Sequence, residues 1–255
     1  MPVRNIRASL VSVLALFGLL LPISARAQTP APADEPPPRL EVEAHAAALL
    51  TSGNATNRTF GVGGELVWRP EPWVVKAKAA YAQTEAEEVL SARSTLAQIR
   101  ADRFLTVRTS LYGEYGYLRD LFAGIENRST VIGGLAYRLI DHPAHKLTVD
   151  GGLGYEHQDE IGEESENLAI GTAGAAYRWK ISETSGLSEE LRYVQAFESI
   201  DNWKLDQSVT LTAAITSVLS LKLANTIRYV NEPVLGFEST DTITSVSLAW
   251  SFKQR

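Results

Sequence analysis

Hydrophobic residues along this chain recur at every second position. In residues 73–83, WVVKAKAAYAQ, Trp73, Val75, Ala77, Ala79 and Tyr81 share one parity and Lys76 and Lys78 the other. On a helix the two lysines would point in nearly opposite directions, whereas on a strand they share a face. The same alternation sets Leu40, Val42 and Ala44 against Glu41, Glu43 and His45, and Phe60, Val62, Leu66 and Trp68 against Glu65. It continues with Leu105, Val107, Leu111, Tyr115 and Tyr117 against Arg108, Ser110 and Glu114, and with Val131, Leu135, Tyr137 and Leu139 against Arg138. Further along, Leu147, Val149, Leu153 and Tyr155 oppose Asp150 and Glu156, and Ala173, Ala175, Tyr177 and Trp179 oppose Thr172, Arg178 and Lys180. Near the end, Leu219, Leu221, Leu223, Ile227 and Tyr229 oppose Lys222 and Arg228, and Val246, Leu248, Trp250 and Phe252 oppose serines. About twelve such segments are present, each near the 9–11 residues that a tilted strand needs to cross a bilayer. The segment EVLSARSTLAQIRADR keeps the beat least well, with Arg93 and Arg100 on opposite faces, and either a bulge or a different strand boundary is expected there.

A soluble sandwich or barrel also alternates, with its apolar face inward. Three features favour the opposite sense. The polar face carries glycine, small residues and charges of both signs, as expected of a filled polar lumen. Connections alternate between short (RPEP, ADR, DHPAH, SETSG, TSV) and longer (TSGNATN, DLFAGIEN, HQDEIGEESE, FESIDN, NEPVLGFESTD), as between periplasmic turns and extracellular loops. With both termini periplasmic, Trp68, Trp73, Tyr137, Trp179, Trp250 and Phe252 fall near one membrane interface. Phe60, Tyr81, Tyr115, Tyr117, Tyr155, Tyr193 and Tyr229 fall near the other, forming two aromatic girdles. The expected fold is therefore all-β, a single antiparallel transmembrane barrel over residues 40–255, its greasy side outward. The rival is a soluble periplasmic barrel that turns the greasy side inward around an apolar ligand.

Composition and charge add the compartment. Arg4 and Arg7 precede the apolar run ASLVSVLALFGLLLPI, which ends at ARAQ. That order predicts a secretory signal over residues 1–27, cut between Ala27 and Gln28. Residues 28–39, rich in proline, read as a periplasmic linker. Removing Arg4, Arg7 and Arg26 with no acid takes the net charge from −6 to −6 − 3 = −9, which argues against a nucleic-acid partner. With no cysteine in the chain, disulfides, thiol catalysis and cysteine-based zinc sites are excluded.

The chain carries no phosphate-binding loop, G-x-S-x-G elbow, H-E-x-x-H pair or calcium loop. No cofactor is expected. His142 and His145 flank Pro143 in a periplasmic turn and read as a surface turn rather than a metal site. The sharpest enzymatic idea joins His157, Ser165 and Asn167, all of lipid-facing parity near the outer rim, as in barrel lipases. Ser165 nevertheless sits among Glu163, Glu164 and Glu166, a solvated acidic loop that could also gather divalent cations bridging lipopolysaccharide phosphates. The candidate lumen-lining residues are Lys76, Lys78, Arg108, Arg138, Arg178, Lys180 and Lys222, in the periplasmic half, with Glu114, Glu156, Glu190 and Asp206 nearer the outer half. They form either a ladder of paired charges that fills the barrel or the ring of a narrow pore mildly biased to anions.

The run GYLRDLFAGIENR (116–128), followed by GGLAYRLID and LGYEHQD, resembles a family of salt-induced outer-membrane proteins classed as a domain of unknown function. SGNATNRT and RYVNEPVLGFESTDT are similar to it too, so that the likeness covers roughly residues 40–252. The resemblance implies an outer-membrane barrel with a link to salt or osmotic stress, and brings no catalytic or ligand residues. Lipid, lipopolysaccharide and the outer-membrane assembly machinery are the partners it implies; no protein partner of the finished barrel follows. One departure concerns the assembly signal, a terminal aromatic in such barrels: here Phe252 is followed by Lys253, Gln254 and Arg255.

Overall fold

A computed structural model of the chain describes residues 37–51, 57–86, 89–121, 123–234 and 236–254. The expected signal segment, most of the linker and the loop after β1 lie outside the described residues. Among them are twelve strands: β1 (Leu40–Thr51), β2 (Asn57–Trp68), β3 (Trp73–Ala86), β4 (Val89–Phe104), β5 (Thr109–Asp120) and β6 (Ile125–Asp141), then β7 (His145–Glu160), β8 (Glu166–Lys180), β9 (Ser185–Ala196), β10 (Trp203–Ala214), β11 (Leu219–Val230) and β12 (Thr240–Gln254). Each pairs antiparallel with its neighbours, and β12 closes on β1 with Leu40 opposite Gln254 and Ala44 opposite Trp250. Closure removes both sheet edges, so every strand finds backbone partners without water.

The parity read from the sequence is the parity of the barrel wall. Val131 is 58% exposed, Leu153 67% and Val246 58%, all on the outside, while Asp102, Glu114 and Glu156 are buried inside. A continuous apolar exterior of this extent fits hydrocarbon and not water. The soluble rival requires the reverse sense and is overturned. A carboxylate in the middle of the wall breaks the outer pattern. Glu189 has outward parity opposite Tyr177, and it is buried against the wall, accepting a hydrogen bond from Gln207 Nε2 at 2.7 Å.

Several details differ from expectation. Residues 101–103 belong to β4, and the turn comes later, at 105–108. Thr106 Oγ1 accepts hydrogen bonds from the backbone N–H of Arg108 at 3.2 Å and of Thr109 at 2.9 Å, a side-chain-closed turn that competes successfully with the strand. Arg108 is consequently in an exposed turn and not on a lumen-facing strand. Half of the acidic stretch HQDEIGEESE expected as a long loop is strand, because β7 runs to Glu160 and β8 starts at Glu166, leaving a connection of residues 161–165. The irregularity expected around residues 86–103 is a register shift beside Thr84 and Glu85, close to the far rim. Finally, the lumen is not wholly polar. Ile132, Leu168, Ile170 and Ala196 pack inside the wall with Tyr112, a small apolar core on the β5–β9 side.

Candidate functional site: a charged lumen closed by side chains

Inward parity on β3, β4 and β5 sends Lys76, Lys78, Arg100, Asp102 and Glu114 into the barrel, where they meet Asp150 of β7 and Glu190 and Arg192 of β9. The middle of the lumen is crossed by a single network. Arg100 donates through Nε and Nη2 to Asp102 at 3.0 and 3.1 Å. Its Nη1 lies 3.4 Å from Glu114 and 3.6 Å from Asp150. Arg192 completes the ring, 2.9 Å from Asp150 and 3.7 Å from Glu114. Two planar, permanently charged forks thus hold three carboxylates, the geometry in which guanidinium outperforms a lysine ammonium.

Tyr112 lies at the same level. Its ring lies 3.7 Å below the Arg100 guanidinium, a cation–π contact. In register it is followed by Gly134 and then Gly152. A Cβ placed on Gly152 would come within 2.6 Å of Tyr112 Oη, so the glycine provides the flat floor on which the ring lies.

Toward the end away from the termini, Lys204 donates to Glu156 and, at 3.0 Å, to Gln158, and Arg128 Nε lies 3.7 Å from Glu156. Arg228 of β11 ion-pairs Asp120 of β5. β5 and β11 stand six places apart in a ring of twelve, so this bridge spans the barrel. Above it the β11–β12 loop reaches the β5–β6 turn. Val234 is buried, and a Cβ at Gly124 would stand 2.7 Å from the Phe237 ring. Gly124 also has φ +75°, so this turn needs glycine for its backbone and for the close approach.

Toward the termini, Lys78 lies 3.6 Å from Glu190 across the barrel, Lys222 pairs Glu43, and Arg69 holds Glu41 at 3.0 Å. Of the residues nominated from sequence, Lys76, Lys78, Arg178 and Lys222 have inward parity in this half. Arg138 and Lys180 are at the rim. Arg138 bonds Asp141 at 2.9 Å beside the Phe104 ring, and Lys180 bonds Glu183 at 2.9 Å. Glu190 belongs to the termini half through Lys78, not to the outer half where it was expected.

Sequence reasoning missed Arg100, Asp102 and Arg192, the centre of the network. Arg100 and Asp102 stand two apart, a same-face signal, but in the segment whose register was least legible.

The postulated nucleophile cluster comes together only in part. His157 Nδ1 lies 2.9 Å from Asn167 Oδ1 and its Nε2 lies 3.4 Å from Asp159. Asp159 also accepts a hydrogen bond from Asn127 at 3.0 Å. The imidazole is thus engaged by Asn167 and Asp159, and no hydrogen bond joins it to Ser165 among the described residues.

The family model described as "Protein of unknown function, DUF481" matches residues 44–252. The uncharacterized protein YdiY of Escherichia coli (strain K12) is 25% identical over 225 residues, covering 87% of this chain and 86% of that protein. Among solved structures, an outer-membrane channel from Pseudomonas putida F1 superposes with a TM-score of 0.51 at 11% identity, covering 88% of this chain and 100% of its own. The translocator domain of the autotransporter NalP from Neisseria meningitidis gives a TM-score of 0.45 at 13% identity, covering 86% and 89%. The likeness to the channel is one of fold: an outer-membrane β-barrel.

Proposed function

The chain belongs to the DUF481 family of proteins of unknown function, and for this member we propose a non-enzymatic barrel of the bacterial outer membrane, closed at rest and serving the envelope structurally. It is exported through a signal cut after Ala27, sits with its termini in the periplasm, and contacts lipid and lipopolysaccharide after insertion by the assembly machinery. A role under salt or osmotic stress follows only from the family likeness. The observation that carries this reading is the Arg100–Asp150–Arg192–Glu114 network, which joins β4, β5, β7 and β9 across the lumen. Unpaired ions cannot cross such a layer without breaking charge-assisted bonds in a space with little water.

Purified full-length mature protein in a planar bilayer should give no steady conductance. Long-lived open steps in the unaltered protein would overturn the closed reading and restore the narrow pore. The lipid-hydrolysing alternative has its own test. Incubation with phospholipid and calcium should release no fatty acid, and release that disappears in Ser165→Ala would make the protein an enzyme.

A further inference from the structure

The termini half of the lumen, below the middle network, forms a vestibule whose charges do not balance locally. Lys76 of β3 and Arg178 of β8 form no ion pair among the described residues. Glu190, which meets Lys78, is opposite Ala176 in register, so Arg178 and Lys76 each stand two residues nearer the termini than that contact, at one level of the lumen. Lys78, two residues along the same face, has one partner, Glu190, at 3.6 Å. That pair is wet and loosely held, the side chains being 43% and 60% exposed. Glu65 stands opposite Lys78 in register but makes no ion pair with it. Of the other nearby cations, Lys222 is engaged by Glu43, Lys180 by Glu183, Arg138 by Asp141 and Arg100 by the middle network. Lys146, opposite Arg178 in register, is exposed at the rim and in no ion pair among the described residues. Inside the lumen the surplus therefore lies on Lys76, Lys78 and Arg178, with Lys146 adding to it at the rim.

Three cations beside two carboxylates, Glu190 and Glu65, leave the vestibule with a net positive charge. Arg178 offers a planar fork and the lysines offer compact ammonium donors, a mixed set suited to a tetrahedral oxyanion with several charged oxygens.

We propose that the vestibule binds a phosphate group between Lys76 and Arg178, with Lys78 as third donor when it leaves Glu190. The free anion and a phosphomonoester present the same group, and the open termini end admits either. The inference is independent of whether the barrel conducts, and its readout is binding.

The test is calorimetric titration of the detergent-solubilised full-length mature protein with inorganic phosphate and, separately, with glycerol 3-phosphate, at constant chloride. Saturable binding should weaken about tenfold or more in Lys76→Gln/Arg178→Gln and stay unchanged in Lys180→Gln, whose charge belongs to Glu183. Binding of both ligands assigns the site to the group itself, and binding of the ester alone assigns it to a phosphomonoester; each supports the proposal. No saturable binding of either, or equal affinity in the double variant, overturns it. A second measurement covers misfolding. Phosphate should raise the melting temperature of the unaltered barrel and not that of Lys76→Met, a variant that relieves the repulsion and should itself melt higher without phosphate. An equal rise in both, or a lower melting temperature for Lys76→Met, also counts against the site.

Discussion

Replacing Arg100 with methionine should destabilise the barrel by about 3–5 kcal/mol, the usual cost of removing one partner from a buried ionic cluster. The side chain lies within 3.0–3.6 Å of Asp102, Glu114 and Asp150, and only Arg192 would remain to hold Glu114 and Asp150. Three carboxylates would then face one another around a single cation, and Tyr112 would lose the guanidinium stacked on its ring. Denaturant midpoints in lipid vesicles, read by heat-modifiable gel migration, measure the loss. Adding Asp102→Asn and Asp150→Asn should recover most of it, because the penalty comes from stranded charge rather than lost volume. A loss below about 1 kcal/mol, the range of exposed pairs, would mean that water screens the network and that the lumen is not sealed.

Leu153→Arg should cost about 2–4 kcal/mol in a bilayer, as for an arginine at the lipid-facing midplane. Leu153 is midway along β7 and 67% exposed on the outer face, flanked in register by Gly133 and Gly171. No carboxylate stands beside it in register to receive the charge. Ile181→Arg, in the turn just beyond β8, is the control and should change stability by about 0–1 kcal/mol, as near an interface. Equal midpoints for both variants in lipid vesicles would show that hydrocarbon does not cover the outer face, and the membrane reading would fall with it.

Much of this could be read from alternation because a strand has only two faces. Once Trp73, Val75 and Ala77 are placed on one side, Lys76 and Lys78 are on the other, and a slip of one residue would invert both. Face, strand count and the side that meets lipid are therefore local properties. The turn at 105–108 was not legible in the same way. Leu105 and Val107 keep the beat, and what ended the strand is a hydroxyl at Thr106 that binds two backbone N–H groups.

Parity says that a side chain enters the lumen but not whom it meets there. Lys78 meets Glu190, and Arg228 meets Asp120, across pairs of strands six apart in the ring. Those meetings depend on strand tilt, stagger and the cross-section of the closed barrel, which no short window of sequence contains. The apolar interior of Ile132, Leu168 and Ile170 was hidden for the same reason: apolar residues of inward parity look like breaks in the pattern until the neighbouring strands bring them into contact. The sequence by itself determined which face of each strand is wet. The tertiary structure decided which charges cancel, leaving Lys76 and Arg178 without an ion pair among the described residues, because cancellation is a property of distances across the lumen and not of order along the chain.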